Sequence, residues 1–396
     1  MVVIPCKDEP ALGATLESLA LASPAPWAVE VIVVVNASRA DPPAVRARCA
    51  ADAARAREVA ARMNAGALRA HVVEVLDLEP RHAGVGLARK LGMDEAVGRL
   101  HAAGAGCGGV IACLDADCTV EPDYLAEIVG WFERHPAADA ASIAFEHDLA
   151  SVADPRHRAG IAGYELFLRC HVHGLRLAGH PSGIHTVGSS MAVRATSYAV
   201  HGGMNRRKAG EDFYFLQKLV EHGVVGEVRA TTVFPSARVS DRVPFGTGRA
   251  VGDWLTSDEP EFLAYDARVY LRLGELIARI ERWWRERDDD PLAGLPGVVT
   301  AFLTEERFAE ALAGMRANST SLSSFRARFL AWLSPFRALK LVHHLTREAY
   351  PKLPVTETAA ALARRLHASG DRTPAVASEM EAWLAWFRGV DRRGRE

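Results

Sequence analysis

Val110-Ile111-Ala112-Cys113-Leu114-Asp115-Ala116-Asp117 is an unbroken apolar run that stops on two carboxylates. A short apolar run bounded by polar residues reads as a strand buried on both faces, the habit of parallel sheets. Working outward, Val2-Val3-Ile4-Pro5 is a second such run, and it closes in the polar turn Cys6-Lys7-Asp8-Glu9-Pro10. Val31 to Val35, which leads to Asn36, is another, and Val72 to Leu76 also reads as a strand. Ala11 to Leu21 carries Leu12, Leu16 and Leu19 at helical spacing. Pro43 to Leu68 is an alanine- and arginine-rich helical stretch, and Gly86 to Leu100 has Leu87, Leu91 and Val97 along one side. This alternation predicts an α/β fold, a Rossmann-like and mostly parallel sheet flanked by helices. Ligands of open α/β sheets sit beyond the carboxyl ends of the strands. Lys7–Glu9 and Asp115–Asp117 both fall at such ends.

The chain has 396 residues, enough for a large core and for two lobes. Lys plus Arg number 47 against 49 Asp plus Glu, a balance that argues against a broad nucleic-acid footprint. The six cysteines form no C-x-x-C pair and read as reduced, partly buried thiols. The opening Met1-Val2-Val3-Ile4-Pro5 leaves no room for a signal segment, and the apolar runs are far short of a membrane span. A cytoplasmic protein is therefore expected. Residues 140–251 are richer in glycine, histidine and short strands such as Met191–Val193 and Val225–Thr232. Beyond Trp254 the pattern turns helical, over Tyr270 to Trp284 and Phe325 to Leu345. The run Phe329 to Phe336 reads as a packed helix, with peripheral membrane contact as the alternative.

Two carboxylates two residues apart at a strand end can converge on one hard cation. Mg²⁺ or Mn²⁺ held there keeps positions open for water and phosphate oxygens. Alone, Asp115-Ala116-Asp117 is as well explained as an acidic turn capping the next helix. Its surroundings change the balance. Leu114-Asp115-Ala116-Asp117-Cys118-Thr119-Val120-Glu121-Pro122-Asp123-Tyr124-Leu125 resembles the metal-binding segment of the family-2 glycosyltransferases, which have the GT-A fold. Val2 to Glu9 resembles that family's first strand and nucleotide-binding turn. Gly84 to Gly92 is similar to its glycine- and arginine-bearing helix start, and Gly210-Glu211-Asp212-Phe213 to its Glu-Asp catalytic motif. The four segments occur in the family's order.

The resemblance implies a GT-A catalytic domain over residues 1–250 and a helical accessory region over 251–396. It implies a UDP- or GDP-sugar donor, a hydroxyl acceptor, direct displacement with inversion, and a hexosyltransferase class of activity. Pro5, Lys7, Asp8, Glu9, Asn36, Arg89, Lys90 and Asp115 would bind the nucleotide, with Asn36 standing where family members often carry Asp. Asp117, with Asp115, would hold the metal. Asp212 would be the general base, with Glu211 the alternative. Arg238, Arg242 and Arg249, in a glycine-flanked stretch, would form a phosphate lid, and Asp241 or water would complete the metal shell. Helix capping, a solvated basic face and an interdomain loop remain the ordinary explanations for the same residues. His171 and His173, spaced to share a strand face, and His180 and His185 read as packing or acceptor-pocket residues rather than zinc ligands. The C-terminal region would select an acceptor, build a homodimer or brace the catalytic part. The competing functions are a sugar nucleotidyltransferase, whose glycine-rich loop is missing after the first strand, and a catalytically silent nucleotide-sugar-binding scaffold.

Overall fold

The computed structural model describes residues 1–396 except 24–26, 67, 106–107, 209, 241–245, 259–260, 287–289, 367–372, 376–378 and 394–396. The chain divides into two compact units, one of Met1–Ile161, His185–Asp253 and Val390–Glu396, the other of Ala162–Ile184 and Trp254–Gly389. The second unit thus takes a segment from the middle of the sequence as well as the C-terminal helices.

The first unit is built on an eight-stranded sheet. In chain order its elements are β1 (Val2–Cys6), α1 (Leu12–Ala20), β2 (Val29–Ser38), α2 (Pro43–Met63), β3 (Leu68–Leu78), α3 (Val85–Ala102), β4 (Val110–Cys113), β5 (Thr119–Val120) and α4 (Tyr124–Arg134). They continue with β6 (Ala140–Phe145), α5 (Pro155–Leu177), which runs on into the second unit, β7 (Met191–Arg194), α6 (Ala195–Val200), α7 (Glu211–His222), β8 (Val225–Phe234) and α8 (Thr247–Leu255). The strand order is β3-β2-β1-β4-β7-β6-β8-β5. β3, β2, β1 and β4 run parallel, as do β6 and β8, while β7 is antiparallel to both its neighbours. β1 and β2 are almost wholly buried, and Val31 to Val35 are at most 1 % exposed, as continuous apolar runs require. The chain leaves β1 toward β2 on one side and pairs it with β4 on the other. The carboxyl ends of β1 and β4 therefore flank a topological switch point, where such sheets bind ligands.

The second unit holds the short antiparallel pair β9 (Leu263–Ala264) and β10 (Leu353–Pro354) among helices α9 (Ala267–Ala278), α10 (Ile280–Arg285), α11 (Gly297–Glu305), α12 (Phe308–Ala317), α13 (Leu322–Trp332), α14 (Pro335–Glu348), α15 (Val355–Leu366) and α16 (Met380–Arg392), whose residues from Val390 belong to the first unit. Two expected helices are each two: 270–284 breaks between α9 and α10, and 325–345 breaks at Pro335, whose ring suits the first turn of α14. Within residues 329–336, Phe329 and Leu333 are fully buried and Phe336 is 44 % exposed. Among the described residues no helix is long and apolar enough to cross a membrane. His171 and His173 lie on α5, a helix and not a strand, and there His171 meets the Tyr270 hydroxyl at 2.9 Å.

Candidate active site

The turn after β1 is held from outside. Asp8 adopts a left-handed backbone, φ 51°, uncommon for a residue with a side chain. Its carboxylate is gripped by Arg48 of α2 through two hydrogen bonds of 2.6 and 2.8 Å. One turn further along α2, Asp52 accepts the Glu9 backbone N–H at 2.8 Å. The Glu9 carboxylate itself is buried, and its Oε1 accepts the Ala11 N–H at the start of α1. Lys7 reaches Asp41, whose carboxyl burial would raise; hydrogen bonds from Lys7 and the Ser38 N–H outweigh that and hold it below the ordinary range.

The acids after β4 sit in a tight turn closed by the Cys118 N–H on the Asp115 carbonyl, 3.1 Å. Thr15 of α1 ties the turn down by donating to the Ala116 carbonyl at 2.8 Å. Neither acid caps a helix: α4 begins after Asp123, and β5 intervenes. Asp115 pairs through Oδ1 with Arg89 at 2.5 Å. Asp117 pairs through Oδ2 with Arg238, at 3.0 Å to Nη2 and 3.2 Å to Nε. Burial and the nearby Asp115 charge push the Asp117 carboxyl upward, against the pull of Arg238.

Arg89, on the first turn of α3, is 1 % exposed and also donates to Glu211 on the first turn of α7, itself 2 % exposed. The close approach behind this pair depends on Gly86. A Cβ there would stand 2.2 Å from the Arg207 carbonyl oxygen and 3.0 Å from the Glu211 Cβ. The N-terminus of α3 is thus covered by the 205–208 segment. Gly188 opens the other side: a Cβ there would lie 2.8 Å from Arg89 Nη2 and 2.9 Å from Asp212 Oδ2. Asp212, next to Glu211 but partly exposed, receives the Phe213 N–H at 2.7 Å. Burial raises its carboxyl above the ordinary range, and the Arg89 charge and the backbone donors only partly offset this. One oxygen of Glu211, Oε2, is buried with no hydrogen-bond partner among the described residues, an arrangement that costs free energy.

Arg89, Asp115, Glu211 and Asp212 thus come together, as do Glu9, Asp117 and Arg238. Asp8 and Lys7 lie on the same β1 turn, engaged by Arg48 and Asp41. Pro5 is buried within β1, and Asn36 is buried inside β2, which continues to Ser38. Lys90 pairs with Asp94 on its own helix, and Arg249 with Asp253 on α8. Arg242 and Asp241 lie outside the described residues. The sequence reading missed Arg48 and Asp52, four apart on α2 and so on one helical face, and the link from Arg238, beyond the end of β8, back to Glu9.

Among the described residues no three His, Cys, Asp or Glu side chains cluster as a ready-made metal cage. Asp115 and Asp117 nevertheless offer carboxylate oxygens beyond those the arginines occupy. Hard oxygens in that number, with water and substrate phosphate to complete the shell, fit Mg²⁺ or Mn²⁺.

The profile of glycosyl transferase family 2 matches residues 1–198. No curated protein matches the chain. Solved structures similar to it include S. aureus TarS 1–349, at 12 % identity over 85 % of this chain and 90 % of that one, TM-score 0.40. The same TarS fragment in complex with UDP-GlcNAc is 13 % identical over 100 % of this chain and 91 % of that one, TM-score 0.41. At that likeness nothing about ligand or acceptor passes to this chain.

Proposed function

The chain belongs to glycosyl transferase family 2 and is a glycosyltransferase, and on that premise we propose that it moves a hexosyl group from a UDP- or GDP-sugar to an acceptor hydroxyl with inversion. What supports this most is one cluster at the exit of β4. Arg89 joins Asp115, on the leaving-group side, to Glu211, and Gly188 sets Asp212 beside the same guanidinium.

The β1 turn would receive the base and ribose, with Asp8 and Glu9 as the acids facing them. Asp117, with Asp115, would hold Mg²⁺ or Mn²⁺, which when bound neutralises charge on the departing diphosphate. Asp212 is favoured over Glu211 as general base: Glu211 is buried and committed to Arg89, whereas Asp212 is partly exposed with a raised proton affinity. The acceptor oxygen would give its proton to Asp212 and bond to the anomeric carbon from the face opposite the diphosphate, as the bond to the diphosphate oxygen breaks. The opposed approach inverts the anomeric centre.

Thermal shift with UDP, GDP and their sugars, with and without Mn²⁺, tests the donor class. A ligand at a hundred times its Kd should stabilise the protein by about 2.7 kcal/mol. Stabilisation by one nucleotide family, strengthened by Mn²⁺, is expected. A chain indifferent to every nucleoside diphosphate would refute the reading.

A further inference from the structure

Arg238 joins two acidic segments far apart in sequence. Its Nη2 donates both to Glu9 Oε2 and to Asp117 Oδ2, so a single nitrogen bridges two carboxylates. A cation shared between two carboxylates occupies the same kind of position. Glu9 is 3 % exposed, so its charge needs a close partner. The Arg238 side chain, by contrast, keeps 32 % of its surface in solvent. Its backbone lies beyond the end of β8, in residues 235–240, which have no regular secondary structure. That backbone is nonetheless seated on α8: a Cβ at Gly248 would stand 2.7 Å from the Ser240 nitrogen and 3.2 Å from the Arg238 carbonyl oxygen. The main chain is packed there, and the partly exposed guanidinium is the part with room to change partners.

We propose that Arg238 is the resident counter-cation of the donor-free site, which a divalent metal and the donor's diphosphate displace together. This rests on the nucleotide-sugar reading above. While the guanidinium lies on Asp117 Oδ2, a metal ion approaching that carboxylate meets a like charge and binds weakly. A diphosphate offers the guanidinium a planar, bidentate match at least as good as two carboxylates. Once it turns to the diphosphate, Asp117 is released for the metal. Metal and nucleotide therefore bind with positive coupling, and by linkage each strengthens the other equally.

The test counts free Mn²⁺ by electron paramagnetic resonance as it is titrated into the full chain without nucleotide. Arg238→Gln should bind Mn²⁺ about tenfold more tightly than wild type, within the usual range of coupling between sites. Arg238→Lys, which keeps the charge, should stay near wild type. Adding Glu9→Gln to Arg238→Gln should remove most of the gain. With UDP or GDP present, Mn²⁺ affinity should rise more in wild type than in Arg238→Gln. Arg238→Met serves as a second neutral variant with the same expectation. Equal donor-free Mn²⁺ affinity in wild type and both neutral variants overturns the proposal, as does a gain that Glu9→Gln leaves intact. A chain that binds no nucleoside diphosphate would sink the transferase reading instead, because the donor-free comparison uses no nucleotide.

Discussion

Arg89 and Arg238 each join a carboxylate of the Asp115–Asp117 turn to a glutamate from elsewhere, yet they differ in what surrounds them. Arg89 is 1 % exposed and its partner Glu211 2 % exposed, whereas the Arg238 side chain is 32 % exposed. Both glutamates are buried, Glu211 at 2 % and Glu9 at 3 %, so the difference lies in the arginines: Arg89 has no path to water, and Arg238 has one. Burial therefore separates an arginine that holds the site together from one that can leave its partners. The sequence reading put both in contact with phosphate. For Arg89 the geometry supports a positioning role: it orients Asp115 and Glu211, and through Gly188 it sets the field at Asp212.

The contrast makes graded predictions. Arg89→Met should have the largest effect, a loss of about 3–5 kcal/mol by urea denaturation, because it strands a buried charge. Adding Glu211→Leu should recover much of it, and a stable Arg89→Met protein would mean the arginine is no clamp. Gly86→Ala should come next, at about 1–3 kcal/mol, since its Cβ would stand 2.2 Å from the Arg207 carbonyl oxygen. Arg238→Gln should cost less than Arg89→Met, about 1–3 kcal/mol, because the buried Glu9 carboxylate loses its ionic partner but the new amide can still donate to it from the solvent edge. A loss as large as that of Arg89→Met would erase the distinction.

The smallest effect is expected in the second unit, where His180 is 3 % exposed and bonds the Leu333 carbonyl at 2.8 Å. Burial lowers its pKa below 6.5, and the bond to Leu333 only partly opposes this. The unfolded chain therefore takes up the proton first as pH falls. The contribution is present above pH 6.5 and is lost as pH drops toward the folded value. Melting curves of wild type should fall more steeply below pH 6.5 than those of His180→Gln, and parallel curves would contradict this.

Strands β1, β2 and β4 were legible because each contains a continuous apolar run, β3 because Val72, Val73, Val75 and Leu76 cluster around Glu74, and the two acidic turns because they sit where β1 and β4 stop. Helix α5 was hidden by its own chemistry. Its buried face includes Glu165, satisfied by Arg169 and Arg388, and His173, so polarity along the sequence did not report exposure. β6, Ala140–Phe145, is rich in small residues and gave no alternation to read. At the site, order along the chain revealed the motifs but not their partners. Arg238 is 229 positions from Glu9, and the pairing of β8 with β5, just past Asp117, brings its segment to the site. Asp52 stood in a stretch dominated by alanine and arginine, with nothing local to mark it as the acceptor for the Glu9 N–H.

The most direct test of the central claim is Asp212→Asn, assayed for nucleoside diphosphate release and for donor binding in the same preparation. The amide keeps the side chain's shape and removes a charge that burial disfavours, so the melting temperature should hold or rise. Donor binding should persist while turnover falls by about 10²–10⁴-fold, the usual contribution of a general base. Turnover at the wild-type rate, with donor binding intact, would contradict the account.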